Sequence, residues 1–573
     1  MQRVVAGSFG FVFSLLAVSV VACAPSGRAE DPDGSTPPPP PPIDSGTGPD
    51  APGGGPPYQD FPAAPTIDGT APANSGDLFG MPDGIGAGPC LAEPEIGTLF
   101  PKGWLRPRFT VVPSGSQNLY EIRLHADDEA NDLVVYTSNR QWTMPGDTWA
   151  KMSLHLGGKP ITVTIRGAQL NGTVLVGSPS LGTTGKIEIA PASATGSIVY
   201  WTTSAGSNPN ASALKAFDIG NEAVRVVLRP QNAGLNAATS CFGCHTTTPD
   251  GKYLAFANAV DPNISGGALI DGRPGFVDLR VPLATVTDAP ADRPPSDVLS
   301  DTAIGLLARK NQHAPAFTLK HWVPGDRIAL TMFQPNAGPN YSGPTNIIWT
   351  DLETNSTAEG TGWGTIARTG DTKSASAAVF SHDGMRIAYV SGNSVDSGVR
   401  NNNGDVYTVP YNNRLGGAAT PVAGASDVNK NESYPSFSAD DTLLTFTQSN
   451  FSGDRHSYDN PTAEVFIVDA NGGTPTRLKA NDPNTCGGAG GVSPGVTNSW
   501  PKWSPGPVEN VGGKRYYWIT FSSRRGASHL PQIYVAPVVF GEAGIETYPA
   551  IYLWNQPANE ANHTPAWDNL QIN

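Results

Sequence analysis

Residues that usually carry chemistry are scarce in this chain. Its 573 residues include 5 Cys, 9 His and 6 Met, and only 15 % are charged. The net charge is −14, which argues against a nucleic-acid partner because phosphate binding needs a basic face. No P-loop or HExxH motif is present, so the commonest nucleotide-binding and zinc-protease signatures are missing. The acidic turn Asn401-Asn-Asn-Gly-Asp405 lacks the spacing of an EF-hand loop. Long apolar runs are absent beyond Phe9–Val21, which is too short and too closely followed by polar residues for a secure membrane span.

Glycine (65), proline (54) and tryptophan (12) are plentiful instead. That balance belongs to a turn-rich β protein with a disordered segment, and the length calls for two or more domains. Residues 1–23 have the form of a targeting segment, with Arg3 ahead of the apolar run. The run ends in Val20-Val21-Ala22-Cys23, which resembles a bacterial lipobox. The resemblance implies an acylated Cys23 anchored in the cell envelope, and Ala24 after it points to the outer membrane. An ordinary secretory signal cleaved nearby is the alternative.

Residues 24–80 read as a disordered tether. Six consecutive prolines, Pro37 to Pro42, fix φ and remove the amide donors that helix and sheet require. From 94 to 190 short alternating runs appear: Arg108–Val112, Leu119–Leu124, Leu133–Tyr136 and Ile161–Ile165. Their spacing suggests a β-sandwich. It is similar to an immunoglobulin or fibronectin III module, without the Cys…Trp…Cys triplet. Trp142 and Trp149 are expected in its core, and His125 and His155 are expected to be structural.

The remainder, 196–573, repeats a phrase. Copies include Thr248-Pro-Asp-Gly-Lys-Tyr-Leu-Ala-Phe256, Ser381-His-Asp-Gly-Met-Arg-Ile-Ala-Tyr389 and Ser438-Ala-Asp-Asp-Thr-Leu-Leu-Thr-Phe446. Each puts a tight polar turn between two strands, preceded by an aromatic-bearing strand such as Pro435-Ser-Phe437 or Pro501-Lys-Trp503. This resembles the TolB-type (PD40-like) β-propeller. The phase of the repeats gives six blades, with five or seven as alternatives because loops 258–312 and 448–463 are long. His563-Thr-Pro-Ala-Trp567 opens a blade that has no successor, so it is expected to return to blade one and close the ring. The fold class is therefore all-β: a sandwich and then a six-bladed propeller, following a lipoprotein signal and a Pro-rich tether.

Blade two opens with Cys241-Phe242-Gly243-Cys244-His245. Two thiols three positions apart and a following His form the attachment pattern of a covalently bound haem c, with His245 as the proximal iron ligand. A free or disulfide-bonded thiol pair is the first alternative. A zinc half-site is the second, and it lacks another CxxC to complete it. For the far side of the iron, His313 is the first candidate because it opens the adjacent blade. His563 is the second, and Met332 the third. Met385 and His382 look solvent-facing, and His321, His456 and His529 have no assigned role. Cys90 and Cys486 remain, and in an oxidising compartment they form a candidate disulfide between sandwich and propeller. A single haem on a tethered β scaffold fits one-electron transfer to a redox partner in the envelope. The alternatives are a haem enzyme with an open sixth site and a protein-binding scaffold.

Overall fold

A computed structural model describes residues 56–204, 212–229, 239–260, 274–278, 299–307, 315–333, 345–392, 403–451, 457–486 and 491–570. The chain is all-β apart from a few short helices. Cys23, the proline run and His313 lie outside the described residues.

The N-terminal unit packs a six-stranded sheet against a three-stranded one. The larger sheet runs Thr66–Asp68, Leu133–Thr137, Leu119–His125, Pro160–Ala168, Ser180–Ser193, Leu99–Lys102. The smaller one runs Cys90–Glu93, Arg108–Val112, Gln141–Thr143. Alternation puts Ile161, Val163 and Ile165 of one strand inward, where they share a core with Phe109, Val111 and Trp142 of the opposing sheet. Both edge strands of the larger sheet pair in parallel, Thr66–Asp68 with Leu133–Thr137 and Leu99–Lys102 with Ser180–Ser193. This mixed sheet differs from the antiparallel pattern of an immunoglobulin-like module. A helix, Gly146–His155, begins after Pro145 and buries Trp149 and Met152 one turn apart.

The tether expected over 24–80 is shorter than that. Residues 56–80 are folded onto the sandwich: Phe61 is 1 % exposed, and Phe79, on the helix Ser75–Phe79, is 3 % exposed. Glu129 Oε2 accepts the backbone N–H of Asp60 at 3.0 Å and that of Phe61 at 3.4 Å. A few well-placed aromatics and one buried carboxylate outweigh the local abundance of Pro and Gly.

Six blade sheets follow in chain order among the described residues, with a two-stranded sheet, Ala367–Thr369 and Gly416–Ala418, beside them. Blade one contains Ser197–Ser204, Ala213–Asp218 and Arg225–Leu228; blade two contains Thr239–Thr247, Tyr253–Val260 and Pro274–Asp278. Blade three is built on Asp326–Phe333, blade four on Ser374–Phe380 and Arg386–Gly392, blade five on Asn431–Phe437 and Leu443–Ser449, and blade six on Ser499–Trp503 and Lys514–Ser523. Glu560–Asp568 returns to blade one as its innermost strand, with Ile198 opposite Trp567 and Trp201 opposite His563. The ring therefore has no open edge at that seam.

The repeated phrase has a local cause. In three blades a hydroxyl donates to an aspartate two residues on: Thr248 to Asp250 (2.6 Å), Ser381 to Asp383 (2.6 Å) and Ser438 to Asp440 (2.7 Å). The same hydroxyls accept the N–H of Tyr253, Arg386 and Leu443, closing each hairpin. Gly251 and Gly384 hold the left-handed position of two turns, and Asp441 holds it in the third at φ 56°.

Among the described residues, the innermost strands of blades four, five and six each carry one extra residue. Between Ser433 and Ser436 three steps face two on the partner strand, and the same bulge recurs between Ser376 and Val379 and between Ser499 and Lys502. The residue that takes up the slack is left-handed in each case: Ala377, Tyr434, Trp500 and, in the closing strand, Thr564, with φ of 48°, 54°, 62° and 49°.

Candidate functional site

The CFGCH segment lies on the innermost strand of blade two, Thr239–Thr247. Its register pairs Cys241 with Ala259, Phe242 with Asn258 and His245 with Phe256, so Gly243 and Cys244 span the bulge. Aligned on the hairpin turn, His245 takes the place of Pro435, Pro501 and Pro565, and Cys244 takes the place of left-handed Tyr434, Trp500 and Thr564. The motif thus spans an irregular point of the strand, and a second register shift precedes it between Thr239 and Cys241. The side chains of Cys241 and Cys244 lie outside the described residues.

His245 is 4 % exposed, and its Nε2 lies 3.3 Å from the Val199 carbonyl of blade one. Two residues on, the Thr247 N–H donates to Asp568 Oδ2 at 3.1 Å. Burial lifts the Asp568 carboxyl to about 6, opposed by the Thr247 hydrogen bonds and by Lys502. The motif strand is therefore held to both blade one and the closing strand.

His563 comes from that closing strand, two positions before the residue equivalent to His245. It is 8 % exposed. Its ring meets Trp201 edge-on at 4.2 Å and lies nearly parallel to Tyr458 at 5.9 Å. Its Nδ1 has no hydrogen-bond partner among the described residues. Burial drives its pKa down to about 3, with Arg524 and His245 adding to the effect. The two imidazoles are thus in electrostatic reach, and His563 stays neutral, the form that binds a metal.

The other expected ligands stand differently. Met332 is 3 % exposed and belongs to the apolar cluster of blades three to five, so its thioether fills that core instead of facing the motif. Cys90 and Cys486 are joined by a disulfide with a Cα–Cα distance of 5.5 Å. His382 is not simply solvent-facing: its Nδ1 lies 3.0 Å from Asp441. His321 bridges Asp326 and the Gly384 carbonyl. His125 lies 2.8 Å from Asp132, and His155 lies 2.7 Å from Asp60. His456 lies outside the described residues. No group of three or more His, Cys, Asp or Glu side chains suits a metal ion among the described residues.

Of the groups that a covalent haem would use, the described residues show the CxxCH spacing at a bulge, a buried His245 and, on the closing strand, a neutral imidazole with an unpaired nitrogen. Asp568, Val199 and Tyr458 were not legible in the sequence as parts of this site. They come from elements far apart in the chain, as with Thr247 and Asp568, 321 residues apart.

No family model matches the chain, and no curated protein does. Solved structures similar to it include TolB from Acinetobacter baumannii, at 13 % identity over 72 % of this chain and 79 % of that one, with a TM-score of 0.35. Another is Kuenenia stuttgartiensis hydrazine synthase, at 13 % identity over 56 % of this chain and 75 % of that one, with a TM-score of 0.27.

Proposed function

We propose that the protein is a lipid-anchored, c-type haem-bearing propeller of the cell envelope that relays single electrons. What supports this reading is the position of Cys241-Phe242-Gly243-Cys244-His245 at the bulge of an inner strand, beside a neutral His563. Cys241 and Cys244 would hold the porphyrin through thioethers, and His245 would ligate its iron. Haem c, when bound, supplies a one-electron iron couple. The residues of the chain do the rest. Trp201 and Tyr458 fix the His563 ring and exclude water from it. Asp568 fixes the motif strand through Thr247. The Cys23 anchor and the Pro-rich stretch would keep the folded part near a membrane, and the Cys90–Cys486 disulfide suits an oxidising compartment.

A second reading is favoured by the contact of His245 Nε2 with Val199 O. A histidine already buried and bonded has a structural role to play. On that reading CFGCH is a thiol pair on a protein-binding propeller.

An optical spectrum separates the two. The full chain is expressed with a c-type haem maturation system and measured oxidised and reduced. Sharp α and β bands on reduction, resistant to acid extraction of haem, support the relay. A high-spin spectrum that shifts with cyanide moves the reading to a haem enzyme or sensor. Absence of covalent haem where a control cytochrome matures overturns the haem reading in favour of the scaffold.

A further inference from the structure

A second site lies on the other side of the sandwich–propeller joint. A cleft of about 490 Å³ opens between the smaller sheet of the sandwich and blade six. That size, at a boundary between two folded units, suits a small molecule. Its walls include Glu95, Arg108, Arg525, Tyr534, Tyr552 and Trp554.

The charges in this cleft are not all matched. Arg108 pairs with Glu93 at 2.6 Å, and Arg106 pairs with Glu222 at 2.6 Å. Arg525 has no carboxylate within ion-pair distance among the described residues, although it is 8 % exposed. Its Nε donates to Ser523 Oγ at 3.0 Å. Its Nη2 donates to the Ala480 carbonyl at 2.6 Å and to Asn498 Oδ1 at 2.8 Å, with the Asn481 carbonyl further off at 3.4 Å. Its Nη1 has no partner among the described residues. The guanidinium is held in place by Tyr534 and Phe521, whose ring centroids lie 4.6 and 5.4 Å away. A buried cation with neutral neighbours is costly unless an anion completes it.

Glu95 is the complementary group. Its carboxylate has no hydrogen-bond partner among the described residues, and burial raises its pKa against the pull of Arg525 and Lys479. Arg525 and Glu95 therefore feel each other's charge yet stand further apart than an ion pair. Tyr534 and Tyr552 line the same cleft, their ring centroids 5.3 Å apart.

We infer that this cleft binds a small zwitterion with an aromatic body, its carboxylate on Arg525, its ammonium on Glu95 and its ring against Tyr534 and Tyr552. Free aromatic amino acids are the simplest members of this class. The site is separate from CFGCH and does not depend on haem.

Titration calorimetry of the full chain with three probes tests it. L-phenylalanine carries both charges, 3-phenylpropionate lacks the ammonium, and phenethylamine lacks the carboxylate. Phenylalanine is expected to bind saturably, and each truncated probe roughly tenfold or more weakly, because each leaves one charged group of the cleft unpaired. Glu95→Gln is expected to weaken phenylalanine by about the same factor and to leave 3-phenylpropionate nearly unchanged. Arg525→Lys tests the other end. If it fails to fold, Tyr534→Phe, which keeps the ring, serves as the folded control and is expected to retain phenylalanine binding. No saturable binding of phenylalanine up to roughly 10 mM, a range where fragment-sized ligands are detectable, would overturn the inference. So would a Glu95→Gln variant that binds all three probes as the native protein does.

Discussion

Cys90, in the smaller sheet of the sandwich, is disulfide-bonded to Cys486, in the connection from blade five to blade six, across 396 residues of chain. Next to it, the Asn484 side chain donates to the carbonyls of Leu91 and Ala92. The bond thus ties a sandwich edge to the ring at a point already stitched by hydrogen bonds. One apolar core continues across the same boundary, from Phe109 and Ile122 to Trp518, Ile533 and Trp567.

Removing the disulfide is expected to weaken this joint without unfolding either half. The double variant Cys90→Ser, Cys486→Ser should lose about 2–5 kcal/mol in calorimetry, and added reductant should bring the native protein to the same level. A loss under about 0.5 kcal/mol would mean that packing alone sets the joint.

The seam of the ring gives a second expectation. Trp567 is 2 % exposed, donates its Nε1–H to the Thr195 carbonyl at 2.9 Å and lies 6.2 Å from the ring of Trp104. Trp567→Ala should cost about 3–5 kcal/mol in urea unfolding, and Trp567→Phe distinctly less. Equal effects of the two would show that the hydrogen bond, not the ring volume, matters most.

Glu432 sets a pH dependence. Its side chain is fully buried on the inner strand of blade five and accepts from Gln448 at 2.8 Å. Burial drives its pKa up from 4.5 to about 8; the Gln448 bond opposes the rise, and Asp405 and Asp427 add to it. Between those values the folded protein holds a proton that the unfolded chain has released. The stability from this group is therefore fully present below pH 4.5 and is lost as pH rises towards 8. Glu432→Gln should match the native protein at low pH and exceed it by up to a few kcal/mol above pH 8. Urea unfolding of both across that range decides the matter, and a constant difference would refute the assignment.

On the haem reading proposed above, the second ligand of the iron would be chosen among His313, His563 and Met332. With its free nitrogen and neutral ring, His563 is the candidate that the described residues favour. In the haem-loaded protein, His563→Ala should turn a low-spin spectrum high-spin, and added imidazole should restore it. Met332→Leu should leave the spectrum unchanged, since Met332 packs in an apolar cluster. An unaltered spectrum in His563→Ala would direct attention to His313.

Much of the ring was legible because its signals are local. A hydroxyl, an aspartate two residues on and a strand after the turn are all within one phrase, as at Ser381–Arg386. The bulge was not legible: Tyr434 and Trp500 are bulky, buried residues at left-handed φ, and their rings pack on each other at 4.1 Å from neighbouring blades. The parallel edge strands of the sandwich and the early anchor Phe61 were missed for a related reason. Their partners, such as Glu129 for Asp60, lie 69 residues away. The helix Gly146–His155 was overlooked because its apolar residues fall among strand-like runs on either side. Neither Arg525 nor Glu95 stood out, because each looks ordinary until the other is placed across the cleft.

The strand Glu560–Asp568 has a consequence in time. Thr202 of blade one hydrogen-bonds to Glu560, a residue made 358 positions later. Blade one therefore waits, incomplete, until every other blade has been made. For that interval the strand Thr239–Thr247 lacks the neighbour that Asp568 will supply. The last strand synthesised is thus the one that locks the first blade in place.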